Sequence, residues 1–320
     1  MKKSILIIIY IIFCFCCFLS NANALNENAK NEYVNKNNVV ISFDDYNKLT
    51  KVFLKSTIEN MKKETVMYYL DNYNKIAKQN KYSIVTDIYD KRGYYLKSFI
   101  KENATLDEVL SIENNKNLRV SSNGELFNSD NQCDATSLAS DSNSWEYSTS
   151  SKMVSITYDN IGYDRDYYEV IIEAKWFSLP KIRKYDVLAI RWDTSKPLSN
   201  VVDCTGSQYN GSTFADYSLD DTNMKRNTYG IGESMNLFNS ADQLEMFMIC
   251  DFTNDIGTVY GTYQHARNSN ANTLAISKSY SFSPNGLGGV LYYSNSTYRN
   301  YYDGMLGVYD TLYSNNGITP

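Results

Sequence analysis

From residue 145 onward the chain repeats one pattern: short runs in which apolar and polar residues alternate, each closed by Gly, Asn or Asp. The runs are "KMVSITYD" (152–159), "YYEVIIEAKWF" (167–177), "YDVLAIRW" (185–192), "TYGIGESMNLF" (228–238), "LEMFMICDF" (244–252), "GTVYGTYQHAR" (257–267), "GGVLYYS" (288–294) and "GMLGVYD" (304–310). A period of two sends successive side chains to opposite faces of a strand, so Tyr168, Val170, Ile172, Ala174 and Trp176 share one face. Strands in series, punctuated by turn residues and with no long helix between them, predict an antiparallel β-sandwich or jelly-roll-like domain over 145–312, with 313–320 as a tail. No segment recurs at a fixed period.

The first half reads differently. "MKKSILIIIYIIFCFCCFLSNANA" places two lysines before an apolar run from Ile5 to Leu19 and ends in small and polar residues. That order predicts a secretory signal peptide over 1–24, cleaved near Ala24, because the run falls short of the ~20 residues a membrane span needs. Cys14, Cys16 and Cys17 follow Phe or Cys, whereas a lipidation signal places a small residue there, so no lipid tether is expected. Residues 25–40 are polar and aperiodic and read as a flexible leader. Residues 41–112 read as a small helical region with a β-hairpin. Ser42, three residues before Asp45, opens a capping-box-like start, and Phe43, Tyr46, Leu49, Phe53, Ile58 and Met61 recur at helical spacing. A second helix follows with Val66, Tyr69, Leu70, Tyr73 and Ile76, and the two apolar faces are expected to pack on each other. "YSIVTDIYDKRGYYLKSF" (82–99) gives the hairpin, and Thr105 caps a short helix through Glu108. Residues 113–144, rich in Asn, Ser and Asp, read as a linker.

Charge and cysteine content narrow the function classes. A formal net charge of −5 supplies no electrostatic footprint for nucleic acid and no attraction to an anionic lipid surface. Hydrophobic residues make up 43% of the chain and 29 residues are tyrosine, enough to build a core and still leave rings at the surface. Beyond the leader stand Cys133, Cys204 and Cys250, an odd number that allows at most one internal bridge. If a bridge forms, Cys204 and Cys250, both in the strand-rich half, are the expected pair; the alternative is three free cysteines.

The second half resembles a family of exported, uncharacterised proteins of low-G+C Gram-positive bacteria. The resemblance rests on "KWFSLPKIRKYDVLAIRW" (175–192), "YGIGESMNLF" (229–238), "VYGTYQHA" (259–266), "KSYSFSPNGLGGVLYYS" (278–294) and "YYDGMLGV" (301–308), with "ISFDDYNKL" (41–49) similar to a lesser degree. It implies secretion and a β-rich C-terminal domain, and brings no activity with it.

His265 is the one histidine of the chain. Nucleophilic catalysis would require it as base beside a serine, with Asp251 or Asp255 as the orienting carboxylate. "GESMN" (232–236) lacks the second glycine of a nucleophile elbow, so a hydrogen-bonded strand histidine is the expectation. One histidine and no C-x-x-C leave no zinc ligand set. "DNIGYDRD" (Asp159, Asn160, Asp164, Asp166) offers oxygens without calcium-loop spacing. Glu169 and Glu173 share a strand face but stand too far apart, at about 13 Å, to act as a glycosidase pair, and read as a solvent-facing row of charges. "NGLGG" (285–289) lacks the lysine of a phosphate loop and reads as a turn. No metal or cofactor is therefore expected.

The sequence points to an exported, non-catalytic β-sandwich that binds a cell-wall glycan or a protein partner. Tyr292, Tyr293, Tyr301 and Tyr302 are the candidate sugar-stacking rings, with His265 as a further candidate contact. The alternatives are a membrane-active protein that inserts an amphipathic hairpin, "STSSKMVSITYDNIGYDRDYYEVII" (148–172) being the nearest stretch, and a secreted hydrolase with scattered carboxylates or His265.

Overall fold

The computed structural model of the chain describes residues 31–79, 81–89, 94–114, 118–120, 126–128, 148–161, 167–192, 201–219, 221–253, 256–267, 280–282, 291–293, 301–303 and 308–311. Residues 1–24, expected as a signal peptide, and 313–320, expected as a tail, lie outside them. In chain order the elements are β1 (Glu32–Val34), β2 (Val40–Ser42), α1 (Phe43–Leu49), α2 (Lys55–Asn60), α3 (Lys63–Asp71), α4 (Tyr73–Gln79), β3 (Lys81–Tyr89), β4 (Tyr95–Ala104) and α5 (Leu106–Asn114). Then follow β5 (Leu118–Val120), β6 (Leu126–Asn128), β7 (Ser148–Asn160), β8 (Tyr168–Trp176), β9 (Tyr185–Trp192), β10 (Val201–Tyr209), β11 (Phe214–Ser218) and β12 (Met224–Asn227). The series closes with β13 (Gly230–Asn236), β14 (Leu244–Phe252), β15 (Thr258–Gln264), β16 (Tyr280–Phe282), β17 (Leu291–Tyr293) and β18 (Val308–Thr311).

The protein is mainly β and antiparallel, in keeping with the sandwich expected from the alternation. A seven-stranded sheet runs β11-β10-β14-β8-β7-β3-β4 and a five-stranded sheet β12-β13-β9-β15-β18. Between them, Val170, Ile172, Ala174 and Trp176 of β8 meet Leu188, Ile190 and Trp192 of β9 and Val259 and Tyr263 of β15 in one apolar core. Gly261 lets β15 approach β8 closely, since a Cβ there would stand 2.4 Å from Ile172 Cδ1. Cys204 and Cys250 are register partners on β10 and β14, fully buried and joined in a disulfide.

The hairpin β3–β4 is not confined to the N-terminal region. β3 pairs with β7 from Lys81↔Ile156 to Tyr89↔Ser148, so the large sheet is continuous across 113–144. Within that stretch α5 ends at Asn114 and β5 and β6 pair with each other; the rest of it lies outside the described residues.

The helices cover the other face of the seven-stranded sheet. Ser42 caps α1 by accepting from Asp45 N at 3.1 Å, and Thr105 accepts from Glu108 N while Glu108 accepts from Thr105 N at 2.8 Å. The single helix expected from Phe43 to Met61 breaks at 50–54. Val52, Phe53 and Leu54 are all buried, and three consecutive residues cannot share one helical face, so the break turns all three inward. Leu49, Phe53, Ile58, Met61, Val66 and Tyr69 then pack on one another and on Ile171 of β8.

Residues 32–42, within and beside the expected flexible leader, form the hairpin β1–β2. Asn35 organises it: its amide donates to the carbonyls of Ile58 at 3.0 Å and Met61 at 2.8 Å, and its oxygen accepts from Asn37 N at 2.9 Å and Val39 N at 3.0 Å. Asn35→Ala removes all four bonds and takes the acceptor from the buried Val39 N–H, and the urea-unfolding free energy is expected to fall by about 2–3 kcal/mol. A change below about 0.5 kcal/mol, the size of an ordinary surface substitution, would show that the hairpin is not anchored there.

Candidate functional site

His265 follows directly on β15, and the alternation places it with Val259 and Tyr263 on the face turned to the core. Its ring is 0% exposed. Nδ1 stands 2.9 Å from Asp186 Oδ2, and the other Asp186 oxygen accepts from Ala266 N at 2.9 Å. Tyr263 donates its hydroxyl to Asp186 and receives the indole N–H of Trp176 at 3.0 Å. The Trp176 ring meets the imidazole edge to face, with centroids 4.8 Å apart. His265 N donates to Asp303 Oδ1 at 3.0 Å, and the second Asp303 oxygen is paired with Lys152, both side chains being fully enclosed. The Lys152 ammonium also lies 4.9 Å from the centroids of Trp176 and Tyr263. Burial raises the Asp303 carboxyl above its usual range, against the pull of the Lys152 charge.

This network joins β7, β8, β9, β15 and the segment leading to β18. The carboxylate beside the imidazole is Asp186, not Asp251 or Asp255: Asp251 belongs to the opposite face of the large sheet, and Asp255 lies outside the described residues. Ser234 of "GESMN" is a buried mid-strand residue of β13 and forms no elbow. An Asp–His pair of this kind orients a catalytic base when the ring can reach substrate. Here the ring is sealed beneath Trp176, and its partners fasten the end of β15 to the chain around Asp303.

A second polar layer lies beneath the helices. Glu169 and Glu173 are each 2% exposed, which overturns their expected solvent-facing position. Glu173 accepts from Leu54 N at 2.8 Å and Ser155 Oγ at 3.3 Å, and Glu245 accepts from Ser56 N at 3.3 Å. Leu54, the N-cap of α2, brings no side-chain cap of its own, so the sheet supplies the carboxylates that the first turn requires. Glu169 accepts from Thr65 Oγ1 at 2.9 Å in the first turn of α3. Lys62, at the start of that helix, donates to Asp251 at 2.8 Å and Asp203 at 3.2 Å. Burial, reinforced by the Asp251 charge, pushes Glu169 up to about 8, and burial pushes Glu173 up to about 7. The cleft beside these groups, between Lys51, Lys55, Tyr82 and Lys175, measures about 90 Å³. Ordinary small-molecule pockets begin at about 300 Å³.

The candidate tyrosines do not form one platform. Tyr302 is fully buried, because 301–303 runs against 265–267 and its bridge to Ala266 turns the ring inward. Tyr301 is partly exposed and its carbonyl accepts from Arg267 N at 2.8 Å. Tyr292 and Tyr293 lie on β17 opposite Ser281 and Tyr280, with side chains outside the described residues. Among the described residues no three His, Cys, Asp or Glu side chains are placed to hold a metal. Asp164, Asp166 and the "NGLGG" turn lie outside them. Sequence reasoning missed Lys152, Asp186 and Asp303, whose polar character in otherwise apolar strands is the only trace they leave. In comparisons with known proteins, no family model and no curated protein matches the chain.

Proposed function

We propose that the protein is an exported, non-catalytic β-sandwich that binds a glycan or protein partner outside the cell. The observation that carries this reading is the enclosure of His265: the one imidazole is sealed with Asp186, Tyr263 and Trp176, where it can hold strands together but meets no substrate. The leader 1–24 and the resemblance to exported proteins support secretion, and the Cys204–Cys250 bridge accords with an oxidising compartment. The purified chain from residue 25 onward is expected to sediment saturably with Gram-positive cell walls and to stay in solution with phosphatidylglycerol–phosphatidylethanolamine vesicles. Recovery in the supernatant with walls would remove the wall-binding form of this reading.

One observation favours a membrane-active protein instead. β7 and β8 pair without interruption from Lys152↔Trp176 to Asn160↔Tyr168. One face carries Val154, Ile156, Tyr158, Val170, Ile172 and Ala174, with Lys152 its one charge; the other is more polar, carrying Ser155, Thr157, Asp159, Glu169, Glu173 and Lys175 beside Met153 and Ile171. A barrel strand crosses a bilayer in about 9–11 residues with such alternation. Selective vesicle binding with release of an entrapped dye would put this reading first.

A further inference from the structure

The hairpin β1–β2, helix α1 and the end of β10 meet at a corner rich in aromatic rings that no candidate residue from the sequence marks. Tyr33 stacks on Tyr46 with ring centroids 4.0 Å apart, and Tyr209 stacks on Phe214 at 4.5 Å. All four side chains are partly exposed. Polar groups sit between the two stacks. Tyr33 donates its hydroxyl to Glu59, and Lys36 lies 3.7 Å over the Phe214 ring while binding both oxygens of Asp216 at 3.2 Å. The phenols share one electrostatic neighbourhood: burial raises Tyr209, with Glu245, Asp242 and Glu59 adding to it, and burial raises Tyr46, with Glu59, Glu245 and Tyr209 adding to it.

We propose that this corner is a glycan-binding site whose Tyr46 and Tyr209 rings receive the C–H faces of an uncharged or amino-bearing sugar polymer, with Glu59 and Lys36 receiving its hydroxyls. The inference rests on the binding reading above and gives it a place and a ligand class. Rigid aromatic side chains with a polar edge provide contact area at low entropic cost, and sugars present both apolar faces and hydroxyls. The local charge selects among wall polymers. Glu59, Asp216, Asp242 and Glu245 outnumber the two lysines paired with them, Lys36 on Asp216 and Lys175 on Glu245, in a chain of net charge −5, so a phosphate-rich polymer is repelled where a neutral or N-acetylated one is not.

The experiment compares two pellets: Gram-positive sacculi stripped of phosphate polymers with hydrofluoric acid, and untreated sacculi. The wild-type chain from residue 25 is expected to bind stripped sacculi at least as tightly as untreated ones. Tyr209→Ala and Tyr46→Ala are expected to weaken binding at least tenfold with thermal unfolding still cooperative, and Tyr209→Trp to restore it. A ring that only fastens the hairpin would lower stability in the alanine variants and leave the binding of their folded fraction unaltered, which overturns the site while the binding reading stands. Binding to untreated sacculi alone overturns the ligand class, again leaving the broader reading in place. Binding to neither pellet overturns the site together with the wall-binding form of the reading.

Discussion

Lys152→Met is expected to lower the unfolding free energy by about 3–5 kcal/mol at pH 8, the largest single-residue effect in the molecule. The substitution keeps most of the apolar stem and removes the charge. It leaves the Asp303 carboxyl fully enclosed without the ammonium that pairs with it. Because burial already raises the Asp303 carboxyl, a proton can take the place of the lost ammonium as the solution is acidified, and the loss shrinks at pH 5. Adding Asp303→Asn to Lys152→Met should recover most of the stability, since the cost belongs to the charge left alone rather than to the pair. Urea melts of the three variants at both pH values measure this. A Lys152→Met chain within about 0.5 kcal/mol of the parent at pH 8, the range of an ordinary surface substitution, would mean that the ammonium is hydrated.

The second large effect is a stability that declines with rising pH. Glu169 and Glu173 have folded-state values raised to about 8 and about 7, above those of an unfolded chain. Between the unfolded value, about 4.5, and those raised values the folded state binds more protons than the unfolded one, so unfolding free energy falls as pH rises through the window. Each unit of difference is worth about 1.4 kcal/mol, and Asp303 adds to the same slope. The cations opposite these groups do not reverse it. Lys62 is lowered by burial but raised more by Asp251 and Asp203, and stays charged throughout. Melts at pH 5 and pH 8.5 should therefore differ by several kcal/mol in favour of acid, and Glu169→Gln with Glu173→Gln should flatten most of the difference. A parent chain more stable at pH 8.5 than at pH 5 would show that water reaches both carboxyls through the helical layer.

Local signals were legible in the sequence, and long-range ones were not. The boxes at Ser42–Asp45 and Thr105–Glu108 span three residues each, so their donors and acceptors could be matched directly. The inward face of β8 could likewise be read from its alternation. Glu169 and Glu173 were correctly placed together on one strand face, but what lies over that face is decided by the Leu54 N–H and the Thr65 hydroxyl, more than a hundred residues upstream. A charge on a strand reads as solvent-facing until the helix ends that need it are known. The partners of His265 escaped for the same reason: Asp186 stands 79 residues before it, and the Lys152–Asp303 pair is separated by 151. Asn35 sits in a stretch so polar that its four hydrogen bonds leave no mark on composition.

That last separation also orders events in time. A chain synthesised or threaded across a membrane N-terminus first presents Lys152 long before Asp303 emerges. Until then the two sheets can close over Lys152 only by burying an ammonium without its counter-ion, so that end of the space between β8 and β15 is held from locking prematurely. The aspartate emerges 151 residues later and sets the latch on a strand laid down well before it.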